Sequence, residues 1–375
     1  MNARLEVPHD VHRRMTPVMY VARFEMMRSR GFERSPVVCC LFVALASALS
    51  FDLGAERIWR ASEERCFAVV NKMVRSGNWL VPRLAPGAQP RLQKPPLFDW
   101  AATAAADLAG GASIVTLRSV SVLASLAVAG VVFAWGCSIG GFAQAVASVL
   151  ALAGTTVFVV RARYGDAEAL LALTTLLALA TFERLWRTRD ARFLPVLAAS
   201  VALAILTKAT AALLAISAPL AVWLALHGSL RLAFRPRVLA WGVVALTAGL
   251  AWHTALLIVV PGAMDQLIGF ALQPVGATAG EFSAAHFRSV FFYLPRFPVQ
   301  SLAASLLLPW IIRDAIRTRF WRDDNRVRFL ATSAVSIFVA WSLVPQKQMH
   351  YLLPLTPLFA LLCGDVVSRG LEIDT

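Results

Sequence analysis

The segment 54–96 carries the residue types that chemistry on a phosphate group needs. It holds eight Lys and Arg residues together with the adjacent carboxylates Glu63 and Glu64. Fixed cations stabilise the negative charge of a departing phosphate, and a positioned carboxylate takes the proton from an attacking hydroxyl or amine. The segment therefore predicts a phosphate site. The alternative is that its cations contact the headgroups of anionic lipids.

The composition of the whole chain excludes an ordinary soluble protein. The 375 residues are 58% hydrophobic and 15% charged, with a mean hydropathy of +0.65, whereas soluble domains carry about 25% charged residues. The net charge of +14 comes from basic residues that cluster between apolar runs, so we expect membrane topology and not nucleic acid to explain it. The five cysteines lack metal-type spacing, and we expect no obligatory metal or other cofactor.

Long apolar runs recur along most of the chain and predict an all-α polytopic membrane protein with about 10–11 transmembrane helices. We expect a cytoplasmic basic arm at 1–35, a transmembrane catalytic domain at 36–366 and a short tail at 367–375. The apolar runs occupy residues 36–53, 97–112, 115–136, 141–160, 166–183, 193–207, 209–226, 238–260, 300–312, 329–344 and 349–366.

Basic loops predict the orientation of the bundle, because short cytoplasmic loops are enriched in Lys and Arg. Three such clusters lie within 184–192, 231–237 and 313–328. Counting spans from these clusters puts Asp166, the loop 261–299 and the turn 345–348 on the external side. Counting from the N-terminal arm puts the segment 54–96 there as well.

The number of apolar runs between the segment 54–96 and Asp166 does not fit the placement of both on the external side. Three runs separate the segment 54–96 from Asp166, so one of them should not cross the membrane. The run 97–112 is the weakest candidate, since it is short and contains Asp99 and Asp107. We expect it to be helical but re-entrant or peripheral.

An amphipathic helix is predicted inside the external segment, from Ser62 to Arg75. Phe67, Val70 and Val74 follow helical spacing on one face. Acidic residues in its first turn suit the helix dipole. We expect this helix to lie at the membrane surface.

The motifs of this segment resemble those of a known family. They are Arg-Ala-Ser-Glu-Glu-Arg at 60–65, Met-Val-Arg-Ser-Gly-Asn-Trp-Leu-Val-Pro-Arg-Leu at 73–84 and Gln-Lys-Pro-Pro-Leu-Phe-Asp-Trp at 93–100. In this order and spacing they resemble the first external loop of GT-C glycosyltransferases, in the branch of lipid A aminoarabinose transferases and protein O-mannosyltransferases. Downstream similarities follow at 116–119, 161–170, 206–208, 286–295 and 347–357, so the resemblance covers about 36–366.

The resemblance implies an enzyme that takes a sugar, a pentose or hexose, from a polyprenyl-phosphate donor at the external face of the plasma or inner membrane. The sugar would pass to a lipid, glycan or protein acceptor with inversion. One carboxylate would act as base and basic residues would hold the donor phosphate. Membrane lipids and the lipid-linked donor are then the expected partners, and nucleic acid is not.

Site residues carry over from the family by motif position. The resemblance implies that Glu63, Asp166 and Glu64 are the candidate catalytic carboxylates. It implies donor-phosphate roles for Arg65, Lys94, Lys208 and Lys347. The further candidates are Arg83, His286, Tyr293, His350 and Tyr351.

Two departures from the family keep an alternative open. Ser62 stands where the first acidic pair has its Asp, and the chain is shorter than such transferases usually are. Either Glu63, Glu64 or Asp166 replaces the lost carboxylate, or the protein is a non-catalytic polyprenyl-phosphate-binding or transporter-like member that keeps the fold. We expect Glu63, Asp166, Arg65 and Lys94 to converge on one external cavity in the first case.

Overall fold

The computed structural model describes residues 35–55, 61–272, 288–318 and 325–373. The predicted basic arm and the candidate His286 lie outside these residues. The chain divides into two compact units, Met1–Leu45 and Ala46–Thr375. The described part of the first unit is helical, and the helical bundle belongs to the second unit.

The regular elements of the described residues are helices, and the loops between them hold one isolated β-bridge between Arg83 and Pro90. The predicted all-α fold is therefore confirmed. The α-helices are α1 (Ser35–Ser50), α2 (Ala61–Ser76), α3 (Leu97–Leu108), α4 (Ile114–Ala153), α5 (Thr156–Ala162), α6 (Glu168–Thr188), α7 (Phe193–Leu226), α8 (Pro236–Val259), α9 (Ala263–Leu272), α10 (Tyr293–Gln300), α11 (Leu302–Ser305), α12 (Leu308–Thr318), α13 (Asn325–Leu343) and α14 (Thr356–Ile373). Two 3₁₀ helices cover Leu230–Phe234 and Met349–Leu355.

Several helices in the described part of the chain can cross a membrane. Six are long and apolar enough to do so, and a seventh counts if a pair bent by 107° is one span. Two of the six, α4 and α7, contain a break and each cover two of the predicted apolar runs, and the predicted number of about 10–11 stays a prediction. The six are α4, α6, α7, α8, Arg326–Leu343 and Met349–Gly370.

Helix α4 joins two predicted runs by folding back on itself. The break lies at Gly140 and Gly141, and Gly141 has a φ of 81°, a conformation that favours glycine. A Cβ at Gly136 would stand 2.9 Å from the Cα of Ala145, although nine residues of straight helix would separate them by about 13 Å. The two arms therefore pack against each other as a tight helical hairpin.

Helix α7 joins the runs 193–207 and 209–226 in the same way. Lys208 interrupts it with a φ of −164° and a ψ of 73°. Leu194 and Leu224 line one cavity, although a straight helix would put them about 45 Å apart. The chain therefore reverses near Lys208, and that residue stands at the tip of the hairpin.

The run 97–112 forms only the 12-residue helix α3. Its length of about 18 Å falls short of the roughly 30 Å of hydrocarbon that a span must cross. This agrees with the expectation that the run is helical without crossing. The runs 141–160 and 300–312 are likewise divided, by the short helices α5, α11 and α12.

The predicted amphipathic helix is present as α2, and its apolar face anchors the segment 61–96 to the bundle. Val70 packs in a core with Phe98 and Leu117, and Phe67 and Val74 border that core. Further along, the Nε1 atoms of two tryptophans donate to backbone carbonyls of the segment, from Trp100 to Trp79 at 2.7 Å and from Trp252 to Leu80 at 2.8 Å. These contacts fix the segment against α3, α4 and α8.

Candidate functional site

Glu63 is anchored rather than open to solvent. It lies in the first turn of α2 and is 1% exposed. Arg118 of α4 donates from Nε to Oε1 at 2.7 Å and from Nη2 to Oε2 at 3.1 Å. The backbone N–H of Gly165 donates to Oε1 at 2.9 Å. With both oxygens engaged, Glu63 ties α2 and α4 to the turn before Asp166.

Asp166 lies in that turn, between α5 and α6, and is buried. Its Oδ2 accepts from Nη1 of Arg161 at 2.5 Å, and its Oδ1 accepts from the backbone N–H of Glu168 at 3.1 Å. The second contact gives a partner to the first N–H group of α6. Asp166 therefore both supports the start of this helix and forms one end of a charged network.

The network continues through Glu168 to two later segments of the chain. Oε1 of Glu168 lies 2.5 Å from Nζ of Lys208 and 3.1 Å from Nε2 of His350. Nη2 of Arg161 lies 2.5 Å from Nδ1 of His350. Because a guanidinium only donates, Nδ1 accepts, so Nε2 carries the hydrogen that points at Glu168.

Lys208 reaches this network because it stands at the tip of the α7 hairpin. Its Nζ also lies 5.2 Å from the ring centre of Tyr351, a cation–π distance. An ammonium has three donors, and Glu168 takes one of them. The remaining donors give this position the capacity to bind an oxyanion.

The electrostatics of Asp166 suit proton transfer near neutral pH. The pKa of its carboxyl is raised to about 6, because burial and, to a lesser extent, the negative charge of Glu168 outweigh the opposing charge of Arg161. A base works best when its pKa lies near the working pH. The carboxyl at 166 is therefore better poised for this work than an ordinary exposed aspartate.

A second set of ionisable residues surrounds Asp99. Asp99, in the first turn of α3, is 4% exposed, and burial raises the pKa of its carboxyl to about 7 against the opposing charges of Arg91 and Lys94. Burial also raises the pKa of the Cys66 thiol, which both Asp99 and Asp166 raise further. Lys94 thus acts electrostatically on Asp99, and its predicted role at the donor phosphate stays a prediction.

The structure brings together Glu63, Asp166, Lys208, His350 and Tyr351 from the predicted set. Glu64 is exposed on α2, and Arg65 is half-buried. Three other predicted residues bind backbone carbonyls: Arg83 binds Ala88 at 2.6 Å, Lys347 binds Val344 at 2.5 Å and Arg288 at 3.2 Å, and Tyr293 binds Gln348 at 3.0 Å. Their predicted roles stay predictions.

Sequence reasoning did not assign roles to Arg118, Arg161 and Glu168, although they make the central contacts. A signal was present for two of them. Arg118 and Glu168 are charged residues inside apolar runs, and such residues are costly unless paired or functional. No group of three or more potential metal ligands occurs in the ranges that the structure describes.

Comparisons with known proteins agree with this architecture. Residues 93–258 match the family model of dolichyl-phosphate-mannose-protein mannosyltransferases. The structure of ArnT from Cupriavidus metallidurans bound to undecaprenyl phosphate matches with a TM-score of 0.76 and 22% identity over 90% of this chain and 60% of that chain. The oligosaccharyltransferase AglB from Archaeoglobus fulgidus, in complex with an inhibitory peptide and a dolichol-phosphate, matches with a TM-score of 0.54 and 14% identity over 90% and 51%. No curated protein matches the chain by sequence.

The chain has the fold of the matched ArnT structure, and the resemblance predicted from its motifs is confirmed. It is an integral, multi-pass membrane protein. The chain spans about 60% of the length of the ArnT structure it matches.

Proposed function

We propose that this protein is a membrane glycosyltransferase that moves a sugar from a polyprenyl-phosphate donor to a lipid, glycan or protein acceptor. The observation that carries the proposal is the buried network of Asp166, Arg161, His350, Glu168 and Lys208 beside the anchored segment 61–96. The ligands bound in two matched structures, undecaprenyl phosphate and a dolichol-phosphate, support a donor of this class.

Asp166 is the proposed base. Both oxygens of Glu63 accept from the permanent cation Arg118, whereas only one oxygen of Asp166 accepts from a guanidinium. The Ser62 hydroxyl is no substitute for a carboxylate at neutral pH. In a single displacement, the acceptor oxygen or nitrogen attacks the anomeric carbon, and the bond from that carbon to the phosphate oxygen breaks. The acceptor proton passes to Asp166, and the electron pair leaves with the polyprenyl phosphate. One displacement inverts the anomeric centre.

Cations on both sides of the site would hold the donor phosphate. Lys208 keeps donors beyond its contact with Glu168, and the segment 61–96 carries Lys94 and Arg65, whose motif positions the resemblance assigns to the donor phosphate. A phosphate leaving group gains negative charge as the bond breaks, so fixed cations lower the barrier. Within the network, the negative charges of two carboxylates balance the positive charges of two permanent cations. Lys94 and Arg65 would therefore supply the excess positive charge that a bound phosphate needs.

The site belongs on the external or periplasmic face of the plasma or inner membrane. Glu168 is the first residue of α6, whereas the basic cluster 184–192 lies at the other end of this helix. A 21-residue helix is about 31 Å long, enough to put its two ends at opposite surfaces. The positive-inside rule then assigns the basic end to the cytoplasm.

A non-catalytic polyprenyl-phosphate-binding protein is the second candidate. Ser62 and the engagement of both Asp166 oxygens favour it, because a base must release a partner to accept a proton. The two candidates share the donor site and differ only in turnover.

Transfer in proteoliposomes separates the two candidates. The purified protein is given undecaprenyl phosphates that carry radiolabelled hexoses or pentoses, together with a membrane extract as the acceptor source. Turnover of one labelled donor, with binding of undecaprenyl phosphate measured in parallel, is the expected result. Binding without transfer from any donor would leave the second candidate, and neither binding nor transfer would refute both.

A further inference from the structure

A large cavity lies away from the proposed catalytic site. It has a volume of about 640 Å³, within the range of about 300–1,000 Å³ that small-molecule sites occupy. Helix α6, both arms of the α7 hairpin and the start of α8 enclose it. Its apolar wall includes Phe182, Leu185, Leu194, Leu197, Leu220 and Leu224.

The cavity lies at the opposite end of the bundle from the charged network. Trp186, which lines it, follows Glu168 by 18 positions along α6, a distance of about 27 Å. The cavity therefore opens among the basic loops, at the other membrane surface. A donor bound at the charged network would not occupy it.

Cations form the rim of this cavity. Arg189, Arg235 and Arg237 all line it, and no Asp or Glu is among the described residues that do. Arg189 ends α6 with a φ of 56°, and its guanidinium stacks 4.1 Å from the ring centre of Trp186. The nearest carboxylate along α6, Glu183, already contacts Arg187 at 3.3 Å and Arg326 at 3.8 Å.

The start of α8 adds a partial positive charge to the same rim. Its N-cap, Arg235, makes no side-chain capping hydrogen bond, and Pro236 to Val238 line the cavity. The free N–H groups of a helix start attract anions. An apolar hollow with a cationic mouth is complementary to a molecule with a hydrocarbon chain and an anionic head.

We propose that this cavity binds one anionic phospholipid from the leaflet that faces the basic loops. One acyl chain fills the space between α6 and the α7 hairpin, and the phosphate lies between Arg189, Arg235 and the start of α8. Charge complementarity selects this occupant, because a zwitterionic headgroup would bring its own cation to a rim that already holds three arginines.

Trp186 provides a direct probe of occupancy. In nanodiscs of zwitterionic lipid, increasing fractions of phosphatidylglycerol or phosphatidylcholine with brominated acyl chains are added, and tryptophan fluorescence is recorded. The chain has 11 tryptophans, so the site signal is the difference between the wild type and Trp186→Phe. We expect brominated phosphatidylglycerol to quench this signal at a mole fraction about tenfold lower than brominated phosphatidylcholine does.

Two variants test the role of the rim. Arg235→Gln combined with Arg237→Gln should abolish the preference for phosphatidylglycerol. Arg192→Gln is the matched control, since Arg192 belongs to a neighbouring basic loop, is 91% exposed and does not line the cavity. Equal quenching by the two lipids in the wild type would overturn the proposal. So would a preference that survives the double change or that Arg192→Gln removes equally.

Discussion

Replacing Arg118 with methionine tests whether Glu63 is an anchor. The guanidinium donates to both Glu63 oxygens at 2.7 and 3.1 Å, and to the carbonyls of Leu53 and Ala55 at 3.0 Å each. Arg118 is 3% exposed, so water cannot replace these contacts. Breaking a buried ion pair costs about 3–5 kcal/mol, and each stranded carbonyl adds about 1 kcal/mol or more. We expect Arg118→Met to lower the free energy of unfolding by at least about 4 kcal/mol.

The assay is unfolding in mixed micelles, followed by circular dichroism. A double-mutant cycle with Glu63→Leu isolates the pair, because the double variant no longer buries an unpaired charge. We expect its loss to be smaller than the sum of the single losses by about 2–3 kcal/mol. Arg192→Met, at an exposed position, should change stability by less than about 0.5 kcal/mol. Additive losses, or a loss below about 1 kcal/mol for Arg118→Met, would refute the anchoring role.

Three further predictions concern the donor phosphate, the base and the fold. Lys208→Met should weaken binding of undecaprenyl phosphate about 10-fold or more in a flotation assay, and Lys208→Arg should retain part of it; unchanged binding by the methionine variant would remove Lys208 from the site. The rate of sugar transfer should rise with pH up to about 6 and then level off, because the base acts as a carboxylate and the pKa of Asp166 is raised to about 6; a flat pH profile between 5 and 7 would contradict this. Gly136→Ala should reduce the yield of folded protein on size-exclusion chromatography, because its Cβ would meet Ala145 Cα at 2.9 Å, whereas Gly130→Ala, with no atom within 4 Å, should not; equal yields would refute the close approach in the α4 hairpin.

Much of the architecture could be predicted from local patterns. Hydropathy indicated a polytopic helical protein, and helical spacing indicated the amphipathic helix that became α2. The shortness of the run 97–112 and its two aspartates indicated that it does not cross. These features depend on composition and periodicity within one segment, which the sequence displays directly.

The division of some apolar stretches into short elements was harder to predict. The turn at Gly140 and Gly141 carries no charge, so the positive-inside rule does not apply to it. The bend between α10 and the following helices arises in a stretch whose apolar residues are divided between several short elements. Hydropathy alone registers the apolar content of such stretches and not the breaks.

Residues of the candidate site could be singled out from the sequence, but the contacts between them could not. Asp166 and Lys208 stood out as charged residues at the edges of apolar runs, and their motif positions matched the family. The partner of Glu63 could not be predicted, because Arg118 lies 55 positions away and their contact exists only when α2 packs on α4. The same holds for His350, which joins Arg161 across 189 positions.

The most direct test of the central claim is sugar transfer by Asp166→Asn, compared with wild type and with Glu64→Gln as the exposed-carboxylate control. Each protein is reconstituted in proteoliposomes with the lipid-linked sugar donor that the wild type turns over. We expect Asp166→Asn to bind undecaprenyl phosphate normally and to transfer at least about 100-fold more slowly, while Glu64→Gln transfers at the wild-type rate. Full transfer by Asp166→Asn, or loss of transfer in Glu64→Gln, would contradict the assignment of Asp166 as the base.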